Sequence, residues 1–441
     1  MTSLLIRGGT LVRPTGDERA DLLIQDDRIH EVNIRTVGPQ KLVAADHTIE
    51  AGGALLFPGF IDCHVHFREP GLEQKGTMES EMQSALAGGV TTVCDMPNTI
   101  PPTVSIEALK EKVRIAEGVS GSDIRFFFGI TESSHIVELE RLWTEQSLLS
   151  LRMRCCGVKL YLDHSTGNQK ATKEAVAEAF RVCARLKIPL VAHCEDSVLN
   201  ARAAKLNRRE DIAAHSNIRA PESEERAIVT AIELAKKSGA NLHIAHLSTR
   251  RGVAFVAQAK ADGLSVTCEV APHHLFLSTE DYESLGALAK MNPPLRTPEH
   301  PEALWAGIAD GTVDCVASDH APHTLAEKQR LPPLSAPSGV PGTGSMIPLL
   351  LTVAAGHWPH PRRRSAVPKL LYGDIRRLCF DRPNEIFSLQ RTMIEPNTSA
   401  NIALVQPNEE WVLTAASLKS KCGWTPYEGW KVMGKVTVVG R

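Results

Sequence analysis

Residues 55–71, LLFPGFIDCHVHFREPG, begin as an almost uninterrupted apolar run and end in a charged, turn-rich segment. A short apolar run bounded by turn residues fits a strand buried on both faces, and such strands belong to parallel sheets covered by helices. Within it His64 and His66 stand at i and i+2, so both imidazoles project to one side of an extended chain and can reach a single metal ion. Alone, an H-x-H pair is weak evidence, because two surface histidines would look the same. Its weight depends on what the other strands deliver.

Seven more runs of this kind follow the one at Leu55-Leu56-Phe57. They begin at Val90-Thr91-Thr92-Val93, Ile124-Arg125-Phe126-Phe127, Val158-Lys159-Leu160-Tyr161, Leu190-Val191-Ala192-His193, Leu242-His243-Ile244-Ala245, Leu264-Ser265-Val266-Thr267 and Val313-Asp314-Cys315-Val316. Each is followed by a helical pattern or an irregular loop. Eight buried strands alternating with helices predict an α/β fold, a (β/α)8 TIM-like barrel. Between the fifth and sixth strands, Pro221 opens a helix with Ile228, Ala231, Ile232 and Ala235 on one face, closed by Gly239. Before the fifth, Thr172 caps a helix carrying Val176, Phe180, Cys183 and Leu186, and Pro189 marks its exit.

The ends of the chain read differently. Residues 1–53 and 390–441 carry short strands punctuated by turns, such as Leu4 to Ile6, Leu22 to Gln25 and Ile402 to Val405, and are predicted to form one small β domain beside a barrel spanning 54–389. The stretch from Lys328 to Gly344 is rich in Pro, Gly and Ser, which predicts an ordered loop over the barrel mouth or a mobile lid.

Other polar residues stand near the strand ends. His193 closes the fifth strand, His246 the sixth, Asp319 follows the eighth, and Lys159 lies inside the fourth. Taken singly, each has an ordinary explanation as a core histidine, a capping aspartate or a snorkelling lysine. Taken together they do not, because the C-terminal ends of all eight barrel strands converge on one mouth. Nitrogen and oxygen donors there fit zinc, with other divalent first-row metals open. A buried lysine loses its proton readily, and the neutral amine can capture carbon dioxide as a carbamate whose two oxygens bridge two metals.

These residues resemble the dihydroorotases of the amidohydrolase superfamily, the type with the PGFIDCHVHFREPG opening. The likeness continues through Asp95-Met96-Pro97-Asn98-Thr99, Gly157 to Tyr161, His193-Cys194-Glu195-Asp196, His243 to His246, Glu269 to His274, Asn292-Pro293-Pro294-Leu295-Arg296, Ser318 to His323 and Gly429-Trp430. The resemblance implies a barrel with a small β-sandwich domain formed by both termini. It implies two zinc ions, one held by His64, His66 and Asp319 and the other by His193 and His246, with carbamylated Lys159 as the bridge. It implies substrate contacts from Arg68, Asn98, Asn292 and His323, and Asp319 as the catalytic proton carrier. The implied reaction is reversible hydrolysis of L-dihydroorotate to N-carbamoyl-L-aspartate, a step of pyrimidine biosynthesis. For Arg68 there is also a direct physical purpose, since a guanidinium fork matches a carboxylate with two parallel hydrogen bonds; its alternative is a surface salt bridge with Glu69.

Two other readings stand beside this one. An allantoinase or hydantoinase would use a similar metal centre, but Arg68 would then have no carboxylate to hold. A non-catalytic partner of aspartate transcarbamoylase would have an eroded ligand set, whereas here every position is filled; association with that enzyme as an active partner is left open. A homodimer is implied by the family alone. The loop Asp163 to Asn168 varies within the family, with Ser165 or Thr166 as candidates to cover substrate. The segments Arg382 to Phe387 and Ile394 to Asn397 depart from the family's usual forms and put their local turns in question.

Composition agrees with a small-molecule enzyme. The 441 residues are 43% hydrophobic and 23% charged with a net charge of -2, which gives no electrostatic case for nucleic acid or a membrane surface. The N-terminus lacks the order of a signal peptide and no apolar run is long enough to span a bilayer, so a cytoplasmic protein is expected. Ten cysteines without C-x-x-C spacing are expected to be reduced core residues.

Overall fold

The computed structural model describes residues 3–35, 44–119, 121, 123–164, 169–362 and 368–440. Eight parallel strands form the barrel: β1 (Phe60–Val65), β2 (Val90–Asp95), β3 (Asp123–Gly129), β4 (Cys155–Tyr161), β5 (Leu190–His193), β6 (Leu242–Ile244), β7 (Val266–Val270) and β8 (Cys315–Val316). Each pairs in parallel with the next. The ring closes just beyond β8, where Val65 bridges His320 in parallel and the His66 amide donates to the His320 carbonyl at 2.7 Å. The strands are almost wholly buried, which is why they read as continuous apolar runs.

The two helices singled out by their punctuation are present. Pro221–Ser238 begins at proline and ends on Gly239, whose φ of 76° is the left-handed turn that glycine adopts without strain. Lys173–Leu186 is capped by the Thr172 side chain, which accepts from the Ala175 amide. The seventh and eighth strands start two residues later than their apolar runs, at Val266 and Cys315.

One strand belongs elsewhere. Leu55–Pro58, expected to start the first barrel strand, lies in the second sheet, antiparallel to Ile402–Val412 and parallel to Ser3–Leu11. The barrel strand begins at Phe60. Both segments are fully buried and the sequence is apolar from Leu55 through Ile61, so hydrophobic pattern alone has nothing with which to mark the crossing. Gly59 marks it: its amide donates to the Asn401 carbonyl at 2.9 Å, and a Cβ there would stand 2.3 Å from Thr91 Oγ1 and 2.4 Å from Asn401 Oδ1.

The second sheet draws on both ends of the chain. Its hydrogen-bonded order is Lys431–Val439, Ile402–Val412, Leu55–Pro58, Ser3–Leu11, Glu18–Gln25 and Arg28–Ile34, and His47–Glu50 also pairs with Ser3–Leu11. It has its own apolar core, including Ile6, Leu22, Ile24, Leu56 and Ile402. The questioned turn at Arg382 to Phe387 is a short helix whose Asn384 side chain exchanges hydrogen bonds with the Arg391 backbone at 2.9 Å.

Because the crossing leaves no room for a methyl group, Gly59→Ala is expected to cost about 1–3 kcal/mol through overpacking. A lowered denaturation midpoint, read by circular dichroism, checks this; an unchanged midpoint would mean that Thr91 and Asn401 move aside freely.

Candidate metal centre and substrate cleft

The strand ends form a narrow cleft whose walls include His64, His66, Arg68, Asn98, Tyr161, His193, His246, Asn292 and Asp319. His64 and His66 share one side of the chain at the end of β1, as their spacing requires. Asp319 comes back to them from beyond β8: its Oδ1 lies 3.0 Å from His66 Nε2 and 3.4 Å from His64 Nε2. The donor atoms of these three buried side chains all lie within 4.8 Å of one another, close enough to hold one metal ion. Across the cleft, His193 Nδ1 faces His246 Nε2 at 3.0 Å. The two groups adjoin, since the rings of His64 and His246 are 5.2 Å apart.

Lys159 is fully buried and its Nζ has no hydrogen-bond partner among the described residues; it stands 5.1 Å from the centre of the Tyr161 ring. Burial lowers its pKa to about 8, so a useful fraction is neutral amine near pH 7. Burial also lowers His66 to about 4. For Asp319, burial pushes the carboxyl up, but the imidazoles of His64 and His66 outweigh it and hold the group well below the usual carboxylate range. Neutral imidazole, ionised carboxylate and an available amine are the protonation states that metal binding requires.

The backbone is strained at this mouth. Arg68, His246 and Asp319 have φ values of 71°, 35° and 46°, in the left-handed region that non-glycine residues rarely enter. Such conformations persist where surrounding bonds over-determine them.

Arg68 is 1% exposed. Its Nε donates to the Pro322 carbonyl at 3.0 Å, while Nη1 has no hydrogen-bond partner among the described residues. The alternative salt bridge with Glu69 is not formed, because Glu69 accepts from the Met78 amide at 2.7 Å and caps a helix instead. Asn98 lines the cleft with its Oδ1 2.6 Å from His66 Nδ1. Asn292 also lines it, with its Oδ1 2.9 Å from His215 Nε2. His323 adjoins Arg68 and the cleft wall: its Nε2 is 3.3 Å from Arg68 Nη2 and 3.0 Å from the carbonyl oxygen of Ser338, and Lys75 donates to its Nδ1 at 3.1 Å. Ser165 and Thr166 lie outside the described residues.

The segment from Lys328 to Gly344 lies at the barrel mouth and contributes Ser338 and Gly339 to the cleft wall. Lys328 Nζ donates to the carbonyls of Lys290, Pro337 and Gly339 at 2.9–3.1 Å, and Lys290 Nζ to those of Leu334 and Ala336 at 2.7 and 2.6 Å.

Three residues at the site were given no role from sequence. Glu269 contacts His64 Nδ1 and His243, Glu195 contacts His193 Nε2, and Tyr161 lines the cleft beside Lys159. A signal existed: Tyr161 and Glu195 each stand two residues after a candidate ligand, and Glu269 is a carboxylate inside a buried strand, where charge is rare.

A parallel eight-stranded barrel with these groups at its C-terminal mouth has the architecture and chemistry of a cyclic amidohydrolase. Residues 55–350 match the model of the Amidohydrolase family. The chain is 40% identical over 375 residues to the dihydroorotase of Halobacterium salinarum, spanning 85% of this chain and 82% of that one. It is 34% identical over 442 residues to the dihydroorotase of Staphylococcus epidermidis, spanning 98% and 96%. Among solved structures it is similar to the L-hydantoinase of Arthrobacter aurescens, with a TM-score of 0.88, 26% identity and coverage of 100% and 96%. The dihydropyrimidinase of Brevibacillus agri shares the fold, with a TM-score of 0.87, 23% identity and coverage of 100% and 94%. The chain belongs to the amidohydrolase family and, within it, to the dihydroorotases. Among the described residues no helix is long and apolar enough to cross a membrane.

Removing one of the three clustered donors tests their metal-holding capacity. His66→Ala is expected to lower the content of divalent metal in reconstituted protein, read by elemental analysis; an unchanged content would exclude the cluster as a metal site.

Proposed function

We propose that this chain interconverts L-dihydroorotate and N-carbamoyl-L-aspartate, with cyclisation as the direction used in pyrimidine biosynthesis. The observation that carries the substrate assignment is Arg68, a buried guanidinium with an unpaired Nη1 at a cleft that also contains the His64, His66 and Asp319 cluster. It would hold the substrate's α-carboxylate. Asn98 and Asn292 would contact substrate from the wall, and His323 would serve the carboxylate end, where it backs Arg68.

The cofactor in this reading is two zinc ions, one with His64, His66 and Asp319, the other with His193 and His246. Lys159 would join them as a carbamate: its amine nitrogen bonds to the carbon of carbon dioxide and one proton is released. The unpartnered, buried Nζ supports this, since a carbamate would give it oxygens that other groups can use. When bound, such a metal pair supplies an activated water and polarises the amide carbonyl. The attacking water would release one proton to solvent on activation; Asp319 would take its second proton and pass it to the ring nitrogen as the carbon–nitrogen bond breaks, leaving the acyl carbon as a carboxylate. In the reverse direction Asp319 would accept the proton from the carbamoyl nitrogen as the ring closes.

The hydantoinase reading keeps support from the likeness to the Arthrobacter structure. Arg68 argues against it, because a neutral ring offers a guanidinium no carboxylate. The complete ligand set argues against a non-catalytic partner. The rest of the proposal is a cytoplasmic homodimer, with association with aspartate transcarbamoylase an open addition. All ten cysteines are free thiols, which suits a reducing compartment. The deciding experiment is an assay of zinc-reconstituted protein against L-dihydroorotate, N-carbamoyl-L-aspartate, allantoin and a hydantoin. Turnover confined to the first two supports the proposal, and preference for either of the others overturns it.

Two substitutions separate the roles. Asp319→Asn is expected to keep zinc and lose turnover by about a hundred- to ten-thousand-fold, the range for a missing acid–base group; near-normal kcat would remove the proton-carrier role. Arg68→Ala is expected to raise KM about 10- to 100-fold, as loss of a charged hydrogen-bonding partner should. An unchanged KM would remove the carboxylate clamp.

A further inference from the structure

An imidazole can hold a metal only through a nitrogen that carries no proton, and which nitrogen is bare is decided by what the other one donates to. For three of the four cleft histidines that choice is made by a neighbour. His64 Nδ1 contacts Glu269 Oε1, His66 Nδ1 lies 2.6 Å from Asn98 Oδ1, and His193 Nε2 lies 2.8 Å from Glu195 Oε2. A carboxylate or amide oxygen accepts, so in each pair the histidine nitrogen carries the proton. The nitrogens left for a metal are then Nε2 of His64 and His66 and Nδ1 of His193; the Asp319 carboxylate, 3.0 Å from His66 Nε2 and 3.4 Å from His64 Nε2, can hold a proton at either Nε2 only while no metal is bound there. These same atoms face Asp319 and His246. His246 is the exception, since its buried Nδ1 has no partner among the described residues.

We propose that Glu195 and Glu269 are positioning residues that set the tautomer and ring orientation of His193 and His64, turning the bare nitrogen of each toward the metal. Both carboxylates are themselves held. Glu195 is gripped by Arg219, whose Nη2 also donates to the His164 carbonyl at 2.6 Å. The Arg219 carbonyl in turn accepts from Arg296, whose Nε donates to Ser248 Oγ at 3.1 Å and whose Nη2 lies 3.4 Å from Glu224. This gives Arg296, the arginine of N-P-P-L-R, a place behind the cleft. Glu269 is held by His243 Nε2 and by the His246 amide, both at 3.2 Å, so one carboxylate spans β1, β6 and the chain just beyond β6. Neither glutamate is more than 1% exposed. Burying ionised groups so deeply is costly unless their partners are in place, and here each charge is met by histidine or arginine.

The effect on metal binding rests on the zinc reading given above, whereas the tautomers can be measured without metal. Nitrogen-15 NMR of histidine-labelled, metal-free protein is expected to show His193 protonated on Nε2 and His64 on Nδ1. Glu195→Ala should change the tautomer of His193 and not of His64, and Glu269→Ala the reverse. Glu195→Gln and Glu269→Gln keep an accepting oxygen and should stay near wild type. In chelator competition with Zn2+, the alanine variants should bind ~10- to 100-fold more weakly, and the glutamine variants should recover most of the loss. A wild-type protein that binds no zinc would refute the metal reading and leave the tautomer result to judge the positioning role. Wild-type affinity in the alanine variants, with both tautomers unchanged, would overturn that role. If the alanine variants do not fold, a wild-type His193 protonated on Nδ1 overturns it equally.

Discussion

Everything at the mouth depends on how the barrel closes between β8 and β1. The buried Asp62 carboxylate accepts the Ser318 amide at 2.9 Å and also contacts the Ser318 hydroxyl. One residue on the other side of Asp319, the His320 carbonyl accepts the His66 amide. Asp319 is thus pinned from both flanks by β1 itself, which brings a carboxylate 253 residues away in sequence to within hydrogen-bond distance of His66. The positive φ of Asp319 follows from that double attachment. A residue in such a conformation costs about 1–3 kcal/mol, and buried hydrogen bonds on either side are what hold it there.

The same principle extends to the wall of the cleft. A Pro- and Gly-rich segment has little regular structure with which to satisfy its own backbone, so lysines do it instead: Lys328 and Lys290 together bond four of its carbonyls, those of Leu334, Ala336, Pro337 and Gly339. The C-terminal part of the chain reaches this region too, where Trp424 Nε1 donates to the His323 carbonyl at 2.7 Å. Glu81 links His320, at 2.8 Å, to Ser420 at 2.6 Å. The tail therefore braces the loop that carries Asp319 and His323.

Much of this was legible in the sequence, for reasons that can be named. Strands covered on both faces leave apolar runs, so the barrel's order could be read, and His64 with His66 declared a shared face by spacing alone. The crossing at Gly59 could not be read from pattern, because Leu55–Pro58 and Phe60–Val65 are equally buried and run on as one stretch that is apolar up to Asp62. Only the crowding by Thr91 and Asn401 distinguishes that glycine. Likewise β8 is two residues long, and its apolar run gave no sign of where pairing begins. Glu195 and Glu269 were in view as letters but had no role, since a carboxylate's function as an anchor depends on which ring nitrogen it meets. That is a fact of three-dimensional orientation. His323 was legible by its motif, and the fold sets its Nε2 between Arg68 and the carbonyl of Ser338, a residue of the cleft wall.

Arg68 brings the constraints together. Burial works against its charge, and its side chain is held in place by a carbonyl and by the neighbourhood of His323. With Glu69 occupied at a helix N-terminus, no ion pair to Arg68 forms among the described residues. A buried guanidinium with an unmet nitrogen favours an anionic occupant over a neutral one, because only the anion restores what desolvation removed. On the reading proposed above, in which Arg68 meets the substrate's carboxylate, the cleft would favour a ring that carries one before any shape is considered. A neutral ring of the same size could offer that nitrogen a carbonyl oxygen but no countercharge.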